Sequence, residues 1–390
     1  MAAVEDVVRR LLEQAHAIEP ATVPDLVAAE AEAAGFDKVE LFLVDHTQMH
    51  LIALHSGERC SVEGTLAGDA YRRKRAHVVD EDDRSRVWVP LVDGEDRLGV
   101  LTTVVHEADV AIVEDTHVLA AAAAGLIVSK QSYTDAYEFV RRIEPMDLAA
   151  EFRWALLPPL TMWTPRVCVA GMLEPAYEIA GDAFDYAVNG DIAHVAIFDA
   201  VGHGLRACRI ANLAVATYRN CRRHGNDISH TAAAIDSVLV DQFGESWFVT
   251  ALLGELDVSN GTFRLLTAGH PAPELLRGGK VVATLDARPG MPLGLGGATP
   301  EVVEVQLEPD DSIFCYSDGV TEARSDTGEF FGEERLSDYL ARAAADELLP
   351  AETLRRLVHR LYEHRPAPLH DDATMLLVTW RKPPGDDEGR

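Results

Sequence analysis

The sequence predicts an α+β protein in two blocks, and three observations carry the prediction. Strand-like runs follow one another directly, the pattern of antiparallel sheets covered by helices rather than of alternating βαβ units. Helix-like stretches gather at the start, the middle and the end of the chain. The character of the chain changes at Pro158-Pro159, where a helical segment meets two residues that cannot continue it. At 390 residues with 47% apolar side chains, two domains with ample cores are expected.

In chain order, residues 4–17 and 24–34 read as helices, the second opened by Pro24 and Asp25. Val39–Val44 and Met49–Leu54 flank a polar turn and read as a hairpin. A second hairpin is expected from Val87–Val92 and Leu98–Val105 around Asp93-Gly94-Glu95-Asp96. Residues 112–143 read as one long helix, alanine-rich at 120–124. Pro145 interrupts it, and a shorter helix follows over 146–157. Beyond the two prolines, strands are expected at 165–173, 183–187, 191–199, 247–257, 262–268, 302–307, 312–317 and 373–380. Helices are expected at 205–223, 229–243, 333–346 and 351–364. The tail, 382–390, is expected to be disordered, and no internal repeat is visible.

The formal charge is −29, which disfavours nonspecific binding to nucleic acid or an anionic membrane; an acidic surface also simply keeps a protein soluble. Five cysteines (Cys60, Cys168, Cys208, Cys221 and Cys315) are scattered with no close pair, against a zinc site or a disulfide framework. The first twenty residues form an amphipathic, charge-bearing helix rather than a signal peptide, and no run of about 18 uncharged apolar residues appears. A reducing cytoplasm is the expected setting.

Four aspartates hold most of the functional information. Asp182 follows Gly181 at the entry to a strand. Asp199 ends the run Ile192–Phe198 and precedes Gly202-His203-Gly204. Asp318 ends the run Ser312–Ser317 and precedes Gly319. Asp371, with Asp372, opens the last strand. Taken singly, an aspartate beside a glycine is a turn or a helix cap. Taken together, four strand-end carboxylates converging on one point would need a compensating cation. An all-oxygen set suits a hard ion such as Mg²⁺ or Mn²⁺. That points to a metal-dependent hydrolase without naming a substrate.

At these residues the chain resembles the PPM family of metal-dependent serine/threonine protein phosphatases, in its SpoIIE/RsbU-like bacterial branch. The resemblance runs over roughly residues 155–380. It rests on Ala180-Gly181-Asp182 with Phe184 and Asp185, Asp199-Ala-Val-Gly202-His203-Gly204, Phe248–Ala251 before Ala268-Gly269-His270-Pro271, Ser317-Asp318-Gly319-Val320-Thr321-Glu322, Gly328–Gly332, and Asp371-Asp372-Ala-Thr374. It implies an α-β-β-α sandwich with two Mn²⁺ or Mg²⁺ ions at one edge. Asp182, Asp199 and the main-chain carbonyl of Ala200 would hold one ion; Asp199, Asp318 and Asp371 would hold the other. A bridging water would attack the phosphorus of phosphoserine or phosphothreonine, and no covalent phosphoenzyme would form. Ala180, Ala183 and Ser317 depart from the branch's usual glycine, tryptophan and threonine but spare the ligands. His203 and His270 read as structural, and His370 either orients Asp371 or is incidental. Asp185 and Glu178 read as outer groups or solvated turn acids, and Asp372 ranks below Asp371 as a ligand. Gly290–Gly297 lacks a lysine and a following helix, so it reads as a mobile loop near the site and not a nucleotide loop.

Residues 20–130 resemble a GAF sensory domain, carried by the two strand pairs and the helix after them; such domains bind small ligands or dimerise. The expected organisation is an N-terminal helix over 1–19, the GAF-like domain over 20–130, linker helices over 131–160, the phosphatase domain over 161–381 and the tail. Leu148–Pro159 resembles the branch's entry into the phosphatase domain, and the segment 112–157 would couple the two domains, through helices paired between the subunits of a homodimer or as a helix packed within its own chain. By analogy the substrate is a phosphorylated anti-anti-sigma-type (STAS) regulator. Two alternatives compete with this reading. A non-catalytic signalling module with a silent phosphatase-like domain would have lost metal aspartates, and none is lost. An HD-type phosphohydrolase on His370-Asp371 would need further spaced histidines.

Overall fold

The computed structural model describes residues 2–178, 181–285, 290–297, 300–365, 369 and 371–381. The chain divides into two compact units, Met1–Pro145 and Met146–Arg390.

The first unit is built around a six-stranded antiparallel sheet. Its elements are α1 (Ala2–Ala15), α2 (Val23–Glu32), β1 (Asp37–Val44), β2 (His50–Ala53), β3 (Arg59–Ser61), α3 (Leu66–Arg73), β4 (His77–Glu81), β5 (Arg84–Asp93), β6 (Asp96–Val105), α4 (Val110–Lys130) and α5 (Ala136–Arg141). The strand order is β3-β2-β1-β6-β5-β4. Alternation along β1 sends Leu41 and Leu43 into one core with α1, α2 and α4, and Phe42 and Val44 into a second core with α3. With the turn after it, α4 forms a stretch, Val110–Tyr133, long and apolar enough by composition to cross a membrane. Here it is a core helix, burying Leu119, Ala120, Ala123, Ala124 and Ile127 against the sheet.

The long helix expected over 112–143 is not continuous. It stops at Lys130, passes through a single 3-10 turn over Gln131–Tyr133, and Thr134 is fully extended before α5 begins. Ser132, Thr134 and Asp135 are residues whose side chains favour turns over helix interiors. The break lets Tyr137 enter the first unit's core, where its hydroxyl donates to Pro20 O at 2.7 Å. Within the span 131–160, α5 falls in the first unit and the next helix in the second.

The second unit contains α6 (Leu148–Leu156), β7 (Thr161–Trp163), β8 (Val167–Glu174), β9 (Asp182–Asn189), β10 (Ile192–Ala200), α7 (Gly204–Arg223), α8 (Ile228–Phe243), β11 (Val249–Asp257), β12 (Thr262–Ala268), β13 (Glu274–Arg277), β14 (Lys280–Thr284), β15 (Val302–Gln306), β16 (Ser312–Tyr316), α9 (Asp318–Thr321), α10 (Gly332–Ala345), α11 (Pro350–His364) and β17 (Ala373–Trp380). Two antiparallel sheets, ordered β15-β12-β11-β10-β9 and β14-β13-β16-β17-β8-β7, face each other. Phe184, Val195, Ile197, Leu252 and Phe263 from one sheet pack against Val169, Leu173, Ile313, Cys315 and Leu376 from the other. On the outer face of the first sheet, Ile210, Ala214, Ile235 and Leu239 of α7 and α8 cover Ala196, Phe198 and Leu253. On the outer face of the second, Leu336, Leu354, Leu357 and Leu361 of α10 and α11 cover Met172, Phe314 and Met375. This is the α-β-β-α sandwich the sequence led us to expect. The tail at 382–390 lies outside the described residues.

Candidate active site

Period-two alternation decides where the first two aspartates point. Along β10, Val195 and Ile197 face the space between the sheets, so Asp199 faces it too. Along β9, Phe184 and Tyr186 do the same, so Asp182 follows. The two strands are antiparallel with Asp182 directly opposite Asp199, which sets their side chains beside each other on one face. Two strand ends of the opposing sheet supply the rest: Asp318 follows β16 as the first residue of α9, and Asp371 and Asp372 lead into β17.

Backbone contacts bind these ends together. Asp182 N donates to Asp372 Oδ2 at 3.3 Å. Ser317 Oγ accepts from Thr374 N at 3.0 Å and donates to Asp372 O at 3.1 Å. Two glycines are required by close approach. A Cβ on Gly319 would lie 2.0 Å from Asp372 O, and one on Gly181 would lie 2.5 Å from Ala200 O. Any side chain at either position would push the carboxylates apart. Ala200 is buried and its N–H donates to Gly181 O at 3.0 Å.

The electrostatics are those of crowded like charges. Asp182, 3% exposed, is held well above the usual carboxylate range by burial and then by Asp199 and Asp372; contacts with Ser317 and Thr374 offset part of this. Asp199 is pushed up to about 6 by burial and then by Asp318 and Asp371, while Asp182 and Thr250 pull the other way. Asp318 is raised by burial, Asp371 and Glu322. Asp372 is pushed up to about 7 by burial against the pull of Arg153. Asp371 is exposed, and its Oδ1 accepts from Asp372 N at 3.0 Å.

The carboxylates influence one another in a chain: Asp182 faces Asp199 and Asp372, Asp199 faces Asp318 and Asp371, and Asp318 faces Asp371. Among the described residues they do not form a group of three or more side chains placed to hold one ion. The donor chemistry nevertheless fits a hard divalent ion. Every donor is oxygen, the carboxylates crowd one another, and Asp182 Oδ2 is buried without a hydrogen-bond partner among the described residues.

Other expectations separate. His203 is exposed at the N-cap of α7 and caps nothing with its side chain. His270 is buried and meets Thr250 Oγ1 at 2.8 Å, and burial lowers its pKa to about 3. Thr250 Oγ1 in turn donates to Asp199 Oδ2 at 3.4 Å, a supporting contact that motif reading did not assign. Asp185 is bound by Arg219 and Arg222 and is structural, and Glu178 is exposed. The glycine-rich loop is not free: Leu293 and Val249 exchange backbone hydrogen bonds of 2.9 Å, and Asp236 Oδ1 accepts from Gly294 N at 2.7 Å. Ala180 and His370 lie outside the described residues.

Sequence reasoning missed Arg153 of α6. It is 2% exposed, donates to Pro175 O at 2.7 Å and Ala176 O at 3.2 Å, and its charge faces Asp372, Glu174 and Asp182. A signal existed: Ala149, Ala150 and Arg153 fall on one helical face, so the arginine interrupts an otherwise buried stripe.

Residues 189–381 match the model of the family described as Stage II sporulation protein E (SpoIIE). The chain is 25% identical to Protein IcfG of Synechocystis sp., covering 57% of this chain and 38% of that protein. It is 22% identical to Phosphoserine phosphatase RsbU of Bacillus subtilis, covering 60% and 69%. Among solved structures it is similar to the RsbU and RsbW domains of Rv1364c from Mycobacterium tuberculosis, with a TM-score of 0.50 and 24% identity over 56% of this chain and 62% of that one. It is also similar to the SiaA-PP2C domain of Pseudomonas aeruginosa, with a TM-score of 0.50 and 22% identity over 60% and 94%. These two likenesses establish the fold of the part of the chain they cover.

Proposed function

Because the second unit is a SpoIIE/RsbU-like phosphatase domain of the PPM family, we propose that the chain hydrolyses phosphoserine or phosphothreonine on a regulatory protein, with an anti-anti-sigma-type factor as its substrate. One observation supports the reading: Asp182 lies directly opposite Asp199 on adjacent strands, and Asp199 is raised further by the nearby charges of Asp318 and Asp371. Asp182, Asp199 and the Ala200 carbonyl would hold one divalent ion, and Asp199, Asp318 and Asp371 a second. When bound, Mn²⁺ or Mg²⁺ supplies an activated water and neutralises the phosphoryl charge. The remaining residues hold these ligands in place. Thr250 steadies Asp199, Ser317 ties the Asp318 turn to Asp372, and Arg153 balances Asp372 so that the Asp182 backbone keeps its hydrogen bond.

We read the first unit as a GAF-like regulator. A six-stranded sheet with helices on both faces supports this, as does a cavity of about 350 Å³ lined by Phe42, Cys60, Thr65, Glu81, Arg86 and Trp88, large enough for a small ligand. The same reading has the chain act as a cytoplasmic homodimer, which light scattering on the purified protein would check.

The test is phosphate release from a phosphoserine peptide and from a phosphorylated STAS-type protein, with Mn²⁺ and with chelator. Turnover should require the metal and fall at least about 100-fold in Asp199→Asn. Turnover that survives chelation, or that Asp199→Asn leaves intact, would remove the assignment.

A further inference from the structure

Helix α7 begins five residues after Asp199 and carries arginines near both ends. Near the C-terminal end, Arg219 and Arg222 are committed to Asp185 at 2.7 and 2.8 Å. Near the N-terminal end, Arg206 and Arg209 are exposed, and among the described residues neither makes an ion pair or a hydrogen bond. They lie over aromatic rings instead: Arg206 Cζ is 4.5 Å from the centroid of Trp247, and Arg209 Cζ is 5.9 Å from that of Phe243. A cation–π contact uses no N–H donor in an ion pair, so the guanidinium donors remain available to a carboxylate or phosphate.

The placement has no local return. The first turn of a helix favours anions, and cations there are opposed by the backbone dipoles. Yet α7 has no acidic residue in that turn and has Arg206 in it. Separation by three residues puts both guanidinium groups on one side of the helix. The pair also stands beside the carboxylate centre. Val201 N donates to Phe248 O at 3.1 Å, and Thr250 donates to Asp199. Trp247 is three residues before Thr250, at most about 11 Å of extended chain.

Resting on the phosphatase reading, we propose that Arg206 and Arg209 form the surface that receives the acidic residues flanking the substrate's phosphoserine. A chain of net charge −29 repels an acidic partner at long range; two exposed arginines held only by aromatic rings among the described residues reverse that locally and select which phosphoprotein docks.

The experiment uses the full chain with Mn²⁺ and three substrates: p-nitrophenyl phosphate, a phosphoserine peptide flanked by Asp and Glu, and the same peptide flanked by Lys. The wild type should prefer the acidic peptide by about tenfold in kcat/KM, less at high salt. R206E/R209E should abolish or invert that preference and leave p-nitrophenyl phosphate turnover and the melting temperature unchanged. R206K/R209K should keep most of the preference. Equal losses on all three substrates would assign the arginines to the phosphate centre or to the fold and overturn the proposal, as would a peptide preference that charge reversal does not move. Wild-type protein that turns over no p-nitrophenyl phosphate would remove the phosphatase reading, and this proposal with it.

Discussion

Strand β9 carries two buried aspartates three residues apart, and the protein treats them in opposite ways. Asp185 is 1% exposed and lies between two guanidinium groups, with Arg219 at 2.7 Å and Arg222 at 2.8 Å. Asp182 is 3% exposed and lies among further carboxylates. An odd separation along a strand sends them to opposite faces, Asp185 toward α7 and Asp182 toward the gap between the sheets. A buried carboxylate with cationic partners is part of the structure. One with more carboxylates around it is a standing cost, and a fold keeps such a cost where it binds something positive.

Neutralising each residue in turn is the most direct way to break this comparison. Asp185→Asn leaves Arg222, whose side chain is 8% exposed, without its charge partner. We expect a loss of about 3–5 kcal/mol in stability, read by thermal or urea unfolding of the second unit, with turnover per folded molecule near wild type. Asp182→Asn relieves repulsion, so the metal-free protein should melt no lower than wild type, while phosphate release falls at least about 100-fold. If both substitutions destabilise alike and spare turnover alike, the two carboxylates are not different in kind.

How far this division was legible in the sequence depends on what each residue needed. Asp199 and Asp318 were readable because each ends an apolar run and precedes small residues, and a strand end fixes where a side chain points. Asp182 and Asp185 were both visible as acids in one motif. Their separate fates depend on Arg219 and Arg222, 34 and 37 residues further on, and nothing local announces that pairing. Most strands and helices of the second unit fell close to their expected positions because periodicity is a local property. The hairpin β13–β14 was passed over although Gly278-Gly279 between two apolar runs is a turn signal. The break after α4 was missed because an alanine-rich stretch propagates a helix in any reading, while the tertiary demand of Tyr137 ends it.

Arg153 bears on the same contrast from the other side, since its charge faces Asp372 and Asp182. Arg153→Met removes a charge that faces Asp372 and two hydrogen bonds to the backbone at Pro175 and Ala176. The backbone part of the loss is the same at every pH. The part of the charge loss that involves Asp372 exists only while that carboxyl is ionised, and burial pushes it up to about 7. The drop in melting temperature should therefore be larger at pH 8 than at pH 5.5, measured in chelator. An equal drop at both would make Arg153 a packing residue only.

The smallest expected effect concerns Asp199 itself, and its sign follows from proton linkage. An exposed aspartate in the unfolded chain titrates near about 4, while in the metal-free fold Asp199 titrates at about 6. Between those values the native state holds the extra proton, so stability falls as pH rises through this window and is flat above it. Depressed histidines work in the opposite direction: burial lowers His46 and His117, takes His194 to about 4 and His270 to about 3, and each costs stability as pH falls below about 6.5. A pH scan of the wild type alone mixes the two. The difference between Asp199→Asn and wild type cancels the histidines, since both proteins carry them. Asp199→Asn should melt a few degrees above wild type at pH 8, on the order of 2–4 °C per kcal/mol, and the advantage should vanish by pH 5, where the wild-type carboxyl is itself protonated. Adding Mn²⁺ at pH 8 should erase it too, because an ion that binds only the folded wild type stabilises that protein. An advantage that persists unchanged at pH 5 would mean that Asp199 is strained by packing and not by charge.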